Sequence, residues 1–199
     1  DQEIKLALRT GIQCINCESI QELEVIDHLA KKLSHKARIA IRINPDVKAN
    51  THRYITTGRK DNKFGITLEE LTKIKDVLKK HRKLNLVGLH THIGSQITDF
   101  TIFKNLALRL NGIQDWFRAQ GITFSDLNLG GGLGVDYHHP DQNPIPDYQY
   151  YFKVIKQHLK ISAGQKIHFE LGRAVVAQCG ALITRVLYVK GPPKNQFVV

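Results

Sequence analysis

Two short segments of the chain hold residue types that could do chemistry. One apolar stretch leads into the glycine run Gly130–Gly132, and another ends in Glu170, Gly172 and Arg173. Consecutive glycines carry no side chains, so their N–H groups can approach an anion closely. A carboxylate suits a cationic ring nitrogen, and a guanidinium suits a phosphate or a carboxylate. Together the two segments indicate a phosphorylated cofactor that contains a ring nitrogen.

The spacing of the glycines argues against a dinucleotide site. Gly130, Gly132 and Gly134 do not have the dinucleotide-binding spacing, and no acidic residue follows a strand about 20 residues later, as that fingerprint requires. A merely tight turn is the remaining alternative to a phosphate-binding loop.

Composition narrows the class of protein. The chain has 199 residues and a net charge of +11, which suits a single domain with its own core. The lysines are spread over helical stretches without interleaved aromatic residues, so we expect no nucleic-acid partner. No apolar run could span a bilayer and no signal peptide opens the chain, so we expect no membrane contact and a cytoplasmic location. Three cysteines argue against a disulfide framework.

The elements that must hold these residues alternate between short apolar strands and amphipathic helices, which is typical of a parallel α/β fold. Capping-box patterns at Ser19 and Thr67 start two helices, a third ends at Gly121, and a fourth runs from about Tyr148 to Lys160. The predicted strands are Gln13–Cys17, Arg38–Asn44, Leu86–Ile93, Phe124–Leu129 and Lys166–Leu171.

Unusual residues follow the strands, where (β/α) barrels build their active sites. Five strands cannot close an eight-stranded barrel. The fold is therefore either an open sheet or about five of the eight β/α units of a TIM-like barrel.

Several motifs, in order, resemble diaminopimelate decarboxylase, a fold-type III pyridoxal-phosphate (PLP) family. They are Ala40–Val47, Thr51–Gly58, Asn62–Ile66, Val87–Gln96 and the glycine run. The resemblance covers essentially the whole chain. It implies a PLP-binding barrel followed by a β domain, and conversion of meso-diaminopimelate to L-lysine and carbon dioxide by a homodimer.

The resemblance also implies that the chain is a central piece of the enzyme. The family's Schiff-base lysine lies upstream of Asp1, so we expect the chain alone to be inactive. Residues 1–190 would be the barrel segment, and residues 191–199 would begin the β domain.

The resemblance assigns roles to individual residues. His92 would stack on the cofactor ring, and Glu170 would pair with its pyridine nitrogen; these two are the predicted catalytic residues. Arg173 would bind the cofactor phosphate or the substrate carboxylate. The predicted cofactor-binding set is Arg42, on the ring oxygen, with His92, Ser95, Gly130, Gly131, Gly132, Glu170, Gly172 and Arg173. Asp46, His52, Tyr54 and Lys63 receive no firm role, and Leu171 replaces the family's usual proline.

Other interpretations of the same residues stay open. His92 could be a core histidine, and His90 with His92 could chelate a metal, although further ligands are missing and we expect no metal site. Cys14 and Cys17 lie on opposite faces of a strand, against a redox pair. Cys179 is expected to be buried.

Two other functions also remain possible. They are an ornithine- or carboxynorspermidine-type decarboxylase and a non-catalytic PLP carrier.

Overall fold

The architecture is a parallel sheet whose strands are joined by helices. The computed structural model describes residues 1–47 and 64–199. His52, Tyr54 and Lys63 lie outside these ranges. Five strands pair in chain order, β1-β2-β3-β4-β5, and all four pairings are parallel. This singly wound order, with a helical crossover between neighbouring strands, is that of a barrel wall.

The bounds of the elements follow the predicted alternation. The strands of the sheet are β1 Ile15–Cys17, β2 Ala37–Arg42, β3 Leu84–His90, β4 Asp126–Asn128 and β5 Lys166–His168. The helices are α1 Gln2–Thr10, α2 Ile20–Lys32, α3 Leu71–Lys80, α4 Phe100–Ala119, α5 Tyr148–His158 and α6 Gly172–Val176. A short hairpin, β6 Val189–Lys190 and β7 Phe197–Val198, ends the chain. None of the helices in the described ranges is long and apolar enough to cross a bilayer.

Four of the five predicted strands extend too far at their carboxyl ends, while β1 ends at Cys17 as predicted. Strand β3 ends at His90 and β5 at His168, whereas the prediction ran to Ile93 and Leu171. The apolar pattern continues because Ile93, Leu129 and Leu171 still pack against the core after regular pairing has stopped.

The two predicted helix starts are present with altered detail. Ser19 Oγ accepts the Glu22 N–H, but the Glu22 carboxylate accepts from the Glu18 N–H, one residue before the N-cap. At the second start, the Glu70 carboxylate accepts from both the N–H and the hydroxyl of Thr67.

The helices cover two separate apolar clusters on one face of the sheet. The first cluster lies under α1 and α2 and contains Cys17, Leu23 and Ile39. The second lies under α3, α4 and α5 and includes Phe103 and Tyr151, whose rings meet edge to face with centroids 4.8 Å apart. Leu78 and Leu86 pack against both clusters and join them.

Buried Asp27 ties α2 to the turn that leads into β3. Its carboxylate binds His81 Nδ1 at 2.7 Å and Lys31 Nζ at 2.5 Å, and it accepts the Lys83 N–H at 3.2 Å. Burial acts to raise the pKa of Asp27, but these hydrogen bonds outweigh it and the pKa is lowered. The carboxylate therefore fixes where β3 begins.

Removing this carboxylate should destabilise the fold. In Asp27→Ala the Lys83 N–H and the His81 ring lose their partner inside the protein, so we expect the free energy of unfolding to fall by about 1–3 kcal/mol. Urea unfolding followed by circular dichroism measures it. Asp115→Asn, which removes an exposed pair with Arg118, is the control and should cost well under 1 kcal/mol. Equal losses in both variants would contradict the assigned role.

Two predictions about cysteines have different outcomes. Cys179 is exposed, so the prediction that it is buried is wrong. It follows α6, in a segment where large apolar side chains such as Leu182 and Ile183 remain more than nine-tenths exposed. Cys17 is a free, buried thiol, and burial raises its pKa, which disfavours a reactive thiolate.

Candidate functional site

A row of polar side chains crosses the sheet on the face opposite the helices. The register pairs Arg42 with His90, His90 with Asn128, and Asn128 with His168. Residues paired in register on parallel strands share a face. Their neighbours Ile41, Leu89, Leu127 and Ile167 point into or against the core beneath the helices. The alternation along the strands therefore places polar side chains on one face of the sheet and apolar core side chains on the other.

The glycine run lies at the carboxyl end of β4, pressed between two other strand-end loops. A Cβ on Gly130 would lie 2.2 Å from the Thr91 carbonyl oxygen, and a Cβ on Gly131 would lie 2.1 Å from the Glu170 carbonyl oxygen. Both distances are far below van der Waals contact, so only glycine fits. Gly130 also has a φ of 67°, in the left-handed region.

Hydrogen bonds of the glycine turn differ from the simple anion cradle expected from the sequence. Gly130 donates its N–H to Asn128 Oδ1 at 2.8 Å, and Gly131 donates to His92 Nδ1 at 3.2 Å. Within residues 1–47 and 64–199 no acceptor is found for the Gly132 N–H. The turn thus offers an anion one glycine N–H, and uses the others to hold neighbouring side chains.

Glu170 lies beside the polar row, two residues after β5 ends. Its backbone N–H donates to the Gly130 carbonyl at 2.8 Å. Its Oε1 accepts from Asn128 Nδ2 at 2.8 Å and lies 3.3 Å from His90 Nε2. The side chain is 45% exposed, so the carboxylate is fixed at one oxygen while remaining accessible to a ligand.

His90 and His92 are kept neutral by their surroundings. Burial lowers the pKa of His90; the charge of Arg42 lowers it further, and Glu170 opposes the shift. Burial and Arg42 likewise lower the pKa of His92. Because Gly131 donates to His92 Nδ1, the proton of the neutral ring resides on Nε2. The negative charge of Glu170 is therefore not cancelled by either imidazole.

Ser95 and Arg173 come together although 78 residues separate them. Arg173 Nε donates to Ser95 Oγ at 3.0 Å, and Arg173 Nη1 donates to the Tyr137 hydroxyl at 2.6 Å. The guanidinium carbon lies 5.8 Å from the centre of the Tyr137 ring. These contacts hold one cationic group beside a hydroxyl, a combination suited to a phosphate or carboxylate.

Arg42 and Gly172 make internal contacts that the sequence did not predict. The Arg42 guanidinium forms an ion pair with Glu18 and lies 5.0 Å from the centre of the Phe64 ring. Gly172 donates its N–H to the Glu170 carbonyl at 2.9 Å. Both residues lie at the site edge of the sheet, and their predicted contacts with a cofactor stay predictions.

The metal alternative gains no additional ligands from the described residues. His168 Nε2 contacts Asp126 Oδ1 at 2.7 Å, so this ring nitrogen already has a partner. Residues 1–47 and 64–199 contain no group of three His, Cys, Asp or Glu side chains that could hold a metal ion.

Comparison with known proteins identifies the family. Residues 1–177 match the model of the pyridoxal-dependent decarboxylases, in their pyridoxal-binding domain. The chain belongs to the pyridoxal-dependent decarboxylase family. The fold and cofactor class predicted from the strand-end motifs are confirmed.

Individual relatives are diaminopimelate decarboxylases. The chain is 49% identical over all of its 199 residues to the enzyme of Bacteroides thetaiotaomicron, of which it covers 52%. It superposes with a TM-score of 0.86 on the crystal structure of the Helicobacter pylori enzyme complexed with L-lysine, at 39% identity, covering 99% of this chain and 48% of that one. The chain thus spans about half the length of these relatives. A lysine decarboxylase from Selenomonas ruminantium, 20% identical with a TM-score of 0.71, shares the fold.

The described residues of this decarboxylase domain fit the pyridoxal group. A carboxylate with one bonded oxygen, a neutral histidine held by the glycine turn, and a serine beside an arginine provide contacts of the kinds that such a cofactor needs. The sequence prediction did not include Asn128 or Tyr137. Asn128 precedes the glycine run by two residues, a spacing typical of a side chain that bonds its own turn, but nothing in the sequence connects Tyr137 to Arg173.

Crowding at the glycine turn leads to a prediction. Gly131→Ala must move the Glu170 backbone, so the free energy of unfolding should fall by about 1–3 kcal/mol. Gly112→Ala is the matched control, since Gly112 lies within α4 with open space around its Cα; alanine there should be neutral or stabilise by up to about 1 kcal/mol. Urea unfolding of both variants measures the difference, and a neutral Gly131→Ala would disprove the crowding.

The buried histidines predict a pH dependence of stability. Their pKa values are lowered from the ordinary 6.5, so below that pH the unfolded chain binds more protons than the folded chain. Stability contributed by the neutral rings is therefore present above about pH 6.5 and is lost as the pH falls toward their folded values.

Urea unfolding at pH 7.5 and 5.5 tests this dependence. The loss of unfolding free energy between the two pH values should be smaller in His90→Gln than in the parent protein. His28→Gln, which changes an exposed histidine on α2, is the matched control. A loss in His90→Gln as large as that of the parent would exclude this contribution.

Proposed function

We propose that this chain is part of a diaminopimelate decarboxylase, which converts meso-diaminopimelate to L-lysine and carbon dioxide. The observation that carries the proposal is that Glu170 and His92 meet at the glycine turn, while Arg173 bonds Ser95. Relatives at 49% and 39% identity bear this name, and the Helicobacter pylori structure is a complex with L-lysine. The 20% identity to a lysine decarboxylase supports only a shared fold.

The site residues would divide the cofactor between them. Ser95 Oγ, the Gly132 N–H and Arg173 would hold the phosphate, with Gly130, Gly131 and Gly172 shaping the backbone around it. His92 would cover the ring face. Arg42 would approach the ring oxygen from β2. Arg173 could bind a substrate carboxylate instead of the phosphate. Its Nε and Nη1 bond Ser95 and Tyr137, and no partner for Nη2 lies among residues 1–47 and 64–199.

Glu170 would hold a proton at the ring nitrogen. When bound, pyridoxal phosphate supplies a cationic ring that takes up the electron pair left by departing carbon dioxide. Glu170 would stabilise that charge through Oε2, because Asn128 and His90 contact Oε1 and no partner for Oε2 lies among the described residues. His92 is neutral and so adds no second positive charge beside the ring. Glu170 thus favours the cationic form of the ring, and His92 does not oppose it.

The remaining parts of the proposal concern the complete protein. The Schiff-base lysine and most of the β domain would belong to parts of the complete protein outside this chain, and residues 191–199 would begin the β domain. The complete protein would be a homodimer. Strand β7, which lies in this segment, already pairs with β6 as an antiparallel hairpin, unlike the parallel sheet before it. The cytoplasm is the proposed location.

Activity of the complete gene product tests the function. With pyridoxal phosphate present, meso-diaminopimelate should give L-lysine and carbon dioxide in equal amounts, measured by chromatography and carbon dioxide release. Preference for ornithine, or release of neither product, would overturn the assignment.

Glu170→Gln tests the proposed site within that protein. Loss of the carboxylate charge should lower kcat by about 100-fold or more, because the stabilisation acts on charge that develops in the transition state. Glu24→Gln, an exposed residue on α2, should leave kcat unchanged. Similar kcat values for Glu170→Gln and the parent would remove Glu170 from the reaction.

A further inference from the structure

Asn128 uses both ends of its side-chain amide at the site. Oδ1 accepts the Gly130 N–H at 2.8 Å, and Nδ2 donates to Glu170 Oε1 at 2.8 Å. The backbone N–H of Gly130 can only donate, so it requires the amide oxygen on its side and places the NH₂ group toward Glu170. The orientation of the amide is therefore determined by the turn.

The same oxygen of Glu170 has a second neighbour. His90, which is paired in register with Asn128, has Nε2 3.3 Å from Glu170 Oε1. His90 is almost completely buried, so its ring is held in place and limits the movement of that oxygen. Among residues 1–47 and 64–199, no hydrogen-bond partner is found for Glu170 Oε2. Because both contacts are made to Oε1, Oε2 is the oxygen that remains for a ligand.

Glu170 needs such support because its own element gives it little. It follows β5 by two residues, and its side chain is 45% exposed. A free glutamate side chain samples many rotamers. The amide of Asn128 instead links the Glu170 side chain to the glycine turn. Asn128 therefore holds both the carboxylate and the turn that would bind the phosphate.

We propose that Asn128 is a positioning residue, which sets Glu170 relative to the glycine turn so that both ends of one cofactor are contacted at once. The proposal rests on the proposed function. Asn128 itself touches Gly130 and Glu170 and acts on the ring nitrogen only through Glu170.

Asn128→Ser separates the two bonds of the amide. A serine hydroxyl can still accept the N–H two residues ahead, but it is too short to reach Glu170. Asn128→Ala removes both bonds. Asn111→Ser is the matched control: Asn111 also bridges two partners, the His158 carbonyl and the Lys160 N–H, each at 2.8 Å, and it lies on α4 away from the site.

The readout is the protonation of the cofactor itself. The complete gene product is loaded with pyridoxal phosphate carrying ¹⁵N in the ring, and the ¹⁵N chemical shift is followed against pH. In Asn128→Ser the ring nitrogen should lose its proton at a lower pH than in the parent. Turnover should show kcat reduced by about 10- to 100-fold with KM changed by less than about threefold, whereas Asn111→Ser should match the parent in both.

A double variant distinguishes positioning from a general structural effect. In a Glu170→Gln background, Asn128→Ser should change neither the ¹⁵N titration nor kcat further, because the residue through which Asn128 acts is gone. A further loss in that background would overturn the proposal.

The remaining outcomes separate the proposal from the function on which it rests. If Glu170→Gln shifts the titration and Asn128→Ser does not, the positioning role is wrong and the proposed function stands. If Asn128→Ala lowers kcat while Asn128→Ser matches the parent, Asn128 serves only the turn, and the proposal is again wrong. If Glu170→Gln itself leaves the titration unchanged, the role of Glu170 falls and the positioning role with it.

Discussion

The site depends on the close approach of backbones at the glycine turn. Gly130 meets the loop after β3 and Gly131 meets the loop after β5, at separations where a single methyl group would collide with a carbonyl oxygen. This approach lets the Gly130 carbonyl accept the Glu170 N–H and lets His92 accept the Gly131 N–H. Glu170 and His92 are therefore placed by main-chain contact, before any ligand takes part. The glycines serve as much to join loops as to bind an anion.

The charge at the site is set by the burial of its histidines and by the ion pair of its arginine. The two imidazoles lie close enough to Glu170 to influence it, but burial keeps them neutral. Arg42 reaches the same edge of the sheet, yet its guanidinium is paired with Glu18. No positive charge among the described residues is therefore paired with the Glu170 carboxylate, which leaves it for a cationic partner, as the proposed chemistry requires.

Much of this arrangement could be predicted from the sequence, because alternating apolar patterns and strand-end motifs depend on local residue types. The five parallel strands and the place of Ser95, Gly130 and Glu170 at strand ends follow from them, whereas the order of the strands in the sheet does not. The detailed partners could not be predicted. That Arg173 bonds Tyr137, or that two glycine N–H groups are already used, depends on how loops distant in sequence meet. The predicted ends of four strands lie too far along the chain, because apolar packing continues after pairing stops.

The division of the interior into two clusters has a consequence for the dynamics of the domain. The boundary crosses β2, whose Ile39 belongs to one cluster and whose Ile41 belongs to the other; among the described residues only Leu78 and Leu86 are shared. Local opening follows such boundaries, because each cluster can separate without exposing the other. Amide exchange in α1, α2 and β1 would then be independent of exchange in β4 and its surroundings. Local unfolding of α1, α2 and β1 can therefore leave the packing around Glu170 and the glycine turn unchanged.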